Sequence, residues 1–134
     1  MKRIEVVAAI ITNNGSILCT KRDKHQYDYL SYKYEFPGGK IEDGETPIEA
    51  LRRELVEELN LHVDEQQCEY LMSVEHQYPD FQITLHGFLC PIDHREFDLI
   101  EHVEHQWLEY DALQQVDWAA ADAPIVERLM NGKR

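Results

Sequence analysis

The segment 38-GGKIEDGETPIEALRRELVEELNL-61 constrains the fold of this chain more than any other part of it. Within it, apolar residues recur every three or four positions, at Ile48, Leu51, Leu55 and Leu59. Each residue turns an α-helix by about 100°, so this spacing places the four side chains on one stripe. The segment therefore predicts an amphipathic helix that packs its apolar stripe against a larger core.

Both ends of this helix are marked by residues that favour termination. Thr46 suits the N-cap, Pro47 the first helical position, and Glu49 the third position of a capping box. Asn60 tolerates the left-handed conformation that often ends a helix. We expect a helix over residues 47–60.

The same segment carries seven carboxylates, which repel one another where they lie three or four residues apart. Glu54 and Glu58 flank the apolar stripe, and Glu57 lies one step farther round the helix. Ionised carboxylates at the edge of a buried face are unfavourable unless compensated, and hard cations such as Mg²⁺ and Mn²⁺ prefer oxygen ligands. The alternative is a solvated face stabilised by ion pairs, such as those between Glu49 and the arginines at 52–53.

The spacing of the whole segment narrows this choice. Counting from Gly39, five residues precede Glu45 and seven more precede Arg53–Glu54. The pattern G-x5-E-x7-R-E-U-x-E-E-x-G-U, where U is apolar, resembles the signature of the Nudix hydrolases. The chain departs from it at Asn60, where the family usually has Gly, and this affects helix termination rather than catalysis. The lead-in 37-PGGK-40 further resembles the MutT-like branch of the family.

This resemblance implies an α/β fold, an α/β/α sandwich with a mixed sheet, in a single domain over residues 1–134. It also implies a set of metal ligands on the segment: the carboxylates of Glu54, Glu57 and Glu58 and the main-chain carbonyl of Gly38. Arg53 is expected to brace the loop by pairing with Glu45. Mg²⁺ or Mn²⁺ held there would screen phosphates, position a water and lower the pKa of that water.

The family commonly adds a later glutamate as a ligand or general base. Glu101 and Glu104 are both available, and the spacing back from Trp107 favours Glu101. The alternative for Glu101 is a solvated loop acid. His102 and His105 lack a third ligand at a zinc-site spacing, so we interpret them as surface histidines.

Four residues are assigned to substrate binding: Arg22, Lys40, Tyr78 and Asp122. Arg22 resembles an arginine that contacts the base in MutT-like enzymes, although a surface arginine at a strand end is the alternative. Asp122 stands where guanine-reading relatives carry Asn. An ionised carboxylate accepts but does not donate, which favours a relation to CTP pyrophosphohydrolases. The alternative for Asp122 is an N-cap of the last helix.

Several aromatic residues are further candidates for stacking on a base. Tyr78 and Phe81 flank a predicted turn, and Tyr27, Tyr29 and Tyr34 cluster before the glycines. Aromatic side chains in strands are more often core residues or cross-strand pairs, and position alone does not choose between the two.

The remaining elements follow from β-branched runs and turn signals. We expect strands at 3–12, 16–22, 68–78, 81–92 and 106–110, helices at 111–116 and 122–134, and a loop at 23–33. The first two strands and the next two each form a hairpin.

Composition excludes several classes of protein. The formal net charge of −13 argues against binding long nucleic acids, which requires basic residues. No apolar run is long enough to span a bilayer. Cys19, Cys68 and Cys90 are an odd, widely spaced set without a CxxC pair, which argues against a disulfide framework and favours a reducing, cytoplasmic setting.

The resemblance to the Nudix hydrolases, taken with this composition, implies a cytoplasmic, Mg²⁺-dependent nucleoside triphosphate pyrophosphohydrolase, a monomer or homodimer, that releases a nucleoside monophosphate and diphosphate. Its general base is Glu54, Glu57 or Glu101. Nucleotide-pool sanitising, with a preference for CTP, modified dCTP or oxidised nucleotides, is the expected role. The alternatives are another Nudix substrate, such as a dinucleoside polyphosphate or ADP-ribose, and an inactive nucleotide sensor, although sensors usually lose motif acids.

Overall fold

The computed structural model describes residues 1–132, which form a seven-stranded mixed sheet and two α-helices. The strands are β1 (Lys2–Asn13), β2 (Ser16–Arg22), β3 (Tyr34–Glu35), β4 (Gly38–Lys40), β5 (Glu69–Gln77), β6 (Phe81–Pro91) and β7 (His102–Glu109). The helices are α1 (Pro47–Leu59) and α2 (Ala123–Gly132), with 3₁₀ turns at Asp28–Leu30, Glu65–Gln67 and Tyr110–Gln115. Positions 133–134 of the expected last helix lie outside the described residues.

The centre of the sheet is β1, in the order β3-β2-β1-β6-β5. It runs parallel to β6 along nearly its whole length, whereas it pairs with β2 only next to their turn. That turn uses Asn14 and Gly15, both with positive φ, as a tight hairpin requires. The first half of the β1 edge that faces β2 is therefore free to pair with β4, and this pairing brings Gly38 beside Ala8.

The sheet is covered on both faces, because successive side chains of β1 point to opposite sides. Val6, Ala8 and Ile10 belong to one core, which also contains Ile125 and Leu129 of α2. The intervening Val7, Ala9 and Ile11 belong to a second core with Leu51, Leu55 and Leu59 of α1. One helix on each face of a mixed sheet confirms the α/β/α sandwich.

The limits predicted for α1 are confirmed. Thr46 Oγ1 accepts from the Glu49 N–H at 3.2 Å, and Glu49 Oε1 accepts from the Thr46 N–H at 2.9 Å. Asn60 ends the helix with φ 51° and ψ 40°. Because the Glu49 carboxylate closes this capping box, the suggested ion pairs between Glu49 and the arginines at 52–53 are not what stabilises the helix face.

Two elements differ from the expectation. The last strand begins at His102 rather than at 106, since it pairs with the whole of β2, from Ser16↔Glu109 to Arg22↔His102. The segment expected as a helix at 111–116 is a 3₁₀ turn that starts at Tyr110. Within residues 1–132, no helix is long and apolar enough to cross a membrane.

Candidate active site

The two glycines of β4 allow the acidic edge of α1 to approach the centre of the sheet. A Cβ on Gly39 would overlap the Glu54 carboxylate, and one on Gly38 would overlap the Val7 carbonyl. Glu58 accepts a hydrogen bond from the Gly38 N–H, with its Oε1 at 3.3 Å from the nitrogen. Glycine at position 38 is therefore a steric requirement of the close approach of β4 to β1, and glycine at position 39 leaves room for the Glu54 carboxylate of α1.

Glu58 is the most buried acid of this helix, with 6% of its surface exposed. Its burial, together with the nearby charges of Glu35, Glu54 and Glu101, raises its pKa to about 9. The Glu54 side chain is only 15% exposed, and burial raises its pKa as well. Glu58 therefore lies among three other carboxylates, and a divalent cation placed there would offset their repulsion.

Arg53 holds the loop that precedes α1, as expected. Its Nε and Nη2 donate to the two carboxylate oxygens of Glu45 at 2.6 and 2.9 Å, and Nη2 also donates to the Lys40 carbonyl at 3.0 Å. Nη1 donates to Glu54 at 3.0 Å and to Glu57 at 3.3 Å. The hydrogen bonds from Arg53 lower the pKa of Glu45 to about 2. The predicted pairing of Arg53 with Glu45 is confirmed.

The predicted convergence of three acids is present only in part. Glu54 and Glu58 lie within hydrogen-bonding reach of each other, whereas the Glu57 carboxylate is 53% exposed and faces Arg53. Across residues 1–132, no group of three His, Cys, Asp or Glu side chains is arranged to hold a metal ion. The donor set nonetheless fits a hard cation, since it consists of carboxylate oxygens around a buried acid and a backbone carbonyl at Gly38.

Of the two later acids, Glu101 lies nearer to this cluster. It is exposed in the loop before β7, and its charge contributes to the raised pKa of Glu58. The neighbouring Ile100 N–H donates to the Glu58 main-chain carbonyl at 3.0 Å, which ties this loop to α1. Glu104 instead lies within β7 and accepts from the Tyr34 hydroxyl. Glu101 is therefore the one of the two acids that neighbours Glu58, and its role as ligand or general base stays a prediction.

A cavity of about 220 Å³ opens beside the two glycines, on the sheet face that α2 covers. Its polar lining contains all four residues assigned to substrate binding, together with His25 and Glu35: Arg22, His25, Glu35, Lys40, Tyr78 and Asp122. Gly38 and Gly39 form part of its wall. The cavity and the acids of α1 thus meet across β4.

Glu35 is a cavity residue that the sequence analysis missed. One carboxylate oxygen accepts from Arg22 at 2.9 Å, and the other pairs with His102 Nε2 at 2.9 Å. Burial alone would raise the pKa of Glu35, but the hydrogen bond from His102 and the charge of Arg22 lower it. An acid between two aromatic residues, Tyr34 of β3 and Phe36 directly after it, is the signal that could have identified it.

The interpretation of His102 as a surface histidine is wrong. Its side chain is buried against Glu35, and its Nδ1 has no hydrogen-bond partner among the described residues. Histidine is buried here because β7 extends to residue 102 and turns this side chain toward Arg22 and Glu35. His105 is exposed, as expected, and packs edge-on against Phe97.

Asp122 lies at the buried end of the cavity. Its carboxyl group accepts from the Phe36 N–H at 3.0 Å, and burial together with the charge of Glu35 raises its pKa to about 8. Only its main-chain carbonyl accepts from the first turn of α2, from the N–H groups of Ile125 and Val126. The suggested side-chain N-cap is therefore wrong, and the carboxyl group belongs to the cavity.

The aromatic candidates separate into two groups. Tyr78 is buried, stacks on Tyr29 with ring centroids 5.2 Å apart, and accepts from the Ala121 N–H at 2.9 Å. Tyr29 stacks in turn on Tyr27, and Tyr78 also lies against Phe81. Tyr34 lies apart from these rings and contacts Trp118. Tyr78 and Phe81 therefore line the cavity as part of a packed aromatic cluster.

Comparisons with known proteins agree with this geometry. The NUDIX domain model matches residues 1–129. The chain is 35% identical over 132 residues to the 8-oxo-dGTP diphosphatase of Escherichia coli K12, covering 96% of this chain and 98% of the relative. It is 38% identical over 130 residues to the CTP pyrophosphohydrolase of the same organism, covering 97% and 93%.

Solved structures share the fold. The solution structure of the E. coli ORF135 protein superposes with a TM-score of 0.82 at 37% identity, covering 98% of this chain and 91% of that one. A MutT protein from Methanosarcina mazei superposes with a TM-score of 0.84 at 21% identity, covering 99% and 96%. The chain belongs to the Nudix hydrolase family, enzymes that act on phosphoric anhydride bonds and generally require divalent metal ions.

Proposed function

We propose that this enzyme is a nucleoside triphosphate pyrophosphohydrolase that removes damaged or surplus nucleotides from the free pool. The observation that carries the proposal is the meeting of two features across Gly38 and Gly39: a cavity with polar residues in its lining, and the acidic edge of α1. The cavity receives the base, and the phosphate chain extends over the two glycines toward Glu54 and Glu58. Water attacks the β-phosphorus, so the products are a nucleoside monophosphate and diphosphate.

The metal would be held by oxygen donors of α1, β4 and the loop before β7. Glu54, Glu58, Glu101 and the Gly38 carbonyl would supply oxygen ligands, and Glu57 would be a further ligand if its carboxylate turned away from Arg53. When bound, Mg²⁺ screens the phosphate charge and lowers the pKa of the attacking water. Arg53 keeps the glycine loop in place through Glu45 and Lys40, and the general base is Glu54, Glu57 or Glu101.

The state of the Asp122 carboxyl group changes the argument on base choice. An ionised carboxylate only accepts hydrogen bonds, whereas a pKa near 8 leaves the group mostly protonated at pH 7. The neutral group donates through its hydroxyl and accepts through its carbonyl oxygen, as an Asn amide does. The reason for disfavouring oxidised guanine is thereby removed. Triphosphates of both oxidised purines and cytosine bases are candidate substrates, in keeping with the names of the two relatives.

A hydrolysis panel with Mg²⁺ tests the proposal. It contains canonical and modified dNTPs and NTPs, a dinucleoside tetraphosphate and ADP-ribose, with diphosphate and orthophosphate measured separately. Diphosphate release from the triphosphates is expected. Activity only on ADP-ribose or the dinucleotide would overturn the substrate class. Inactivity across the panel would favour a nucleotide sensor, although the motif acids are all present.

Two variants then test base recognition. Asp122→Asn keeps a donor and an acceptor and should retain most activity, whereas Asp122→Ala should lower kcat/KM by about 10- to 100-fold for the preferred base. A matched control is Asp117→Asn, since Asp117 is exposed and pairs with Lys33 outside the cavity. Equal losses for all bases in Asp122→Ala would contradict a base-reading role.

We infer that the chain acts as one domain on free nucleotides in the cytoplasm, as a monomer or homodimer. The net charge of −13 disfavours long nucleic acids as substrates.

A further inference from the structure

Two of the three cysteines lie side by side, although 22 positions separate them in the chain. The Cys90 thiol points at Cys68, with 3.5 Å between the two sulfur atoms. Cys90 lies near the end of β6, and Cys68 immediately precedes β5. Since Glu69 pairs with Leu89 in the antiparallel ladder, Cys68 and Cys90 occupy the next pair of facing positions. They are free thiols in this structure.

We propose that Cys68 and Cys90 are a modification site, a dithiol that hydroperoxides oxidise to an intramolecular disulfide. The proposal is independent of the substrate of the enzyme. The site lies on the opposite face of the sheet from the cavity, because Cys90 belongs to the core under α1, against which Cys68 also packs.

The backbone geometry suits the bond. Directly facing residues of an antiparallel pair have Cβ atoms about 4.5–5.5 Å apart, close to the separation of about 3.5–4.5 Å found across disulfides. The sulfur atoms must approach from 3.5 Å to about 2.05 Å. Rotation of the two side chains, with a small adjustment at the start of β5, provides that movement. Cys68 is the C-cap of the 3₁₀ turn Glu65–Gln67 and lies just outside β5.

The two thiols differ in the way that sequential oxidation requires. The hydrogen bond from Cys90 lowers the pKa of Cys68, and the charge of Arg52 lowers it further. Cys68 is partly exposed, whereas Cys90 is buried and its pKa is raised by the hydrogen bond to Cys68 and by burial. Cys68 is therefore the thiol that meets the oxidant, and Cys90 is the resolving thiol.

The reaction has two balanced steps. The Cys68 thiolate attacks one peroxide oxygen, so that an S–O bond forms, the O–O bond breaks, and the released hydroxide takes up a proton as water. The Cys90 sulfur, on losing its proton, then attacks the Cys68 sulfur. The S–S bond forms, the S–O bond breaks, and the hydroxide leaves as a second water with that proton. Overall, two thiols are oxidised and one peroxide is reduced to two waters.

Cys19 provides an internal control. It is fully buried on the other face of the sheet, its thiol donates to the Ile17 carbonyl at 3.5 Å, and burial raises its pKa to about 12. Both burial and protonation make this thiol unreactive. It should remain a free thiol under conditions that oxidise the other pair.

The test is oxidation of the folded, full-length protein with hydrogen peroxide, followed by alkylation of the remaining thiols in denaturant and mass spectrometry. We expect the loss of two hydrogen atoms, one alkylated cysteine (Cys19) and a crosslinked peptide pair containing Cys68 and Cys90. A thiol reductant should restore three alkylation sites. Three alkylated cysteines after peroxide treatment, or a crosslink that includes Cys19, would overturn the proposal.

Cysteine variants and the thermal stability of the oxidised protein test the same proposal independently. Cys90→Ser should stop the reaction at oxygen addition to Cys68, Cys68→Ser should abolish oxidation, and Cys19→Ser should form the disulfide as the wild type does. In the wild type, oxidation should raise Tm by about 5–10 °C, because the crosslink restricts the unfolded chain. The crosslinked protein should keep its hydrolytic activity. A lower Tm after crosslinking would show that the bond strains the native hairpin, against the geometry described above.

Discussion

Replacement of Glu58 by Gln separates the stability of this protein from its activity. Gln has the same size and its carbonyl oxygen can still accept from the Gly38 N–H, which lies 3.3 Å from Glu58 Oε1. It cannot carry the negative charge that a bound cation requires. We expect the variant to fold, to lose more than about 100-fold in kcat, and to be more stable than the wild type without metal.

The size of the stability gain follows from the pKa of about 9 for Glu58. The folded protein keeps the proton that the unfolded chain releases above about pH 4.5. Stability from this group is therefore complete below pH 4.5 and falls as the pH rises toward 9. At pH 7.5 the loss is at most about 4 kcal/mol, at roughly 1.4 kcal/mol per pH unit. Sharing of the proton with Glu54 reduces this loss of stability. We therefore expect Glu58→Gln to raise the free energy of unfolding by about 1–3 kcal/mol at pH 7.5.

The assay is urea unfolding followed by circular dichroism, in EDTA, at pH 5 and pH 7.5. The difference between variant and wild type should be large at pH 7.5 and small at pH 5. Added Mg²⁺ should stabilise the wild type and leave Glu58→Gln nearly unchanged. The control is Glu49→Gln on the same helix, which preserves the capping box and should change stability by less than about 0.5 kcal/mol.

Two results would refute the reasoning about Glu58. Activity near the wild-type rate in Glu58→Gln would remove this residue from the metal site. A variant less stable than the wild type at pH 7.5 in EDTA would show that the buried carboxyl group is compensated in the folded protein.

Three further predictions concern other residues. Arg53→Lys keeps the positive charge but cannot bind both carboxylate oxygens of Glu45. We therefore expect kcat to fall by about 10- to 100-fold in the Mg²⁺ assay. An unchanged kcat would contradict the role of Arg53 in holding the loop. His102→Ala leaves one carboxylate oxygen of Glu35 without its hydrogen-bond partner and should lower the free energy of unfolding by about 1–3 kcal/mol. His102→Gln should recover part of this loss, and urea unfolding measures both variants. Asn60→Ala places a residue that disfavours positive φ at the end of α1, so it should lower the free energy of unfolding by about 1 kcal/mol and lower Tm accordingly. Asn60→Gly should have a Tm close to that of the wild type.

Local interactions made α1 and its surroundings predictable. A capping box joins residues three positions apart, the apolar stripe repeats every three or four, and the pairing of Arg53 with Glu45 spans eight positions. These contacts depend on the conformation of one short segment, which its own residues largely determine. The predicted hairpins follow the same rule, because each turn sequence joins strands that are adjacent in the chain.

The polar end of the cavity was decided by contacts that join distant segments. Glu35 meets His102 across 67 positions, and Phe36 meets Asp122 across 86. Nothing in the local sequence of His102 indicates a buried hydrogen bond to Glu35, and Asp122 suits the N-cap position equally well. The pKa of Asp122 depends on its burial and on the nearby charge of Glu35, and both arise only when the chain folds.

The sequence by itself therefore determined the fold class, the limits of the acidic helix and the chemical type of its side chains. Only the tertiary structure decided which groups share an environment: the burial that raises the pKa of Asp122, the orientation of Glu57 toward Arg53, and the contact between Cys68 and Cys90. The physical reason is that burial and charge act through space. Residues far apart in the chain acquire their chemistry from neighbours that the sheet brings to them.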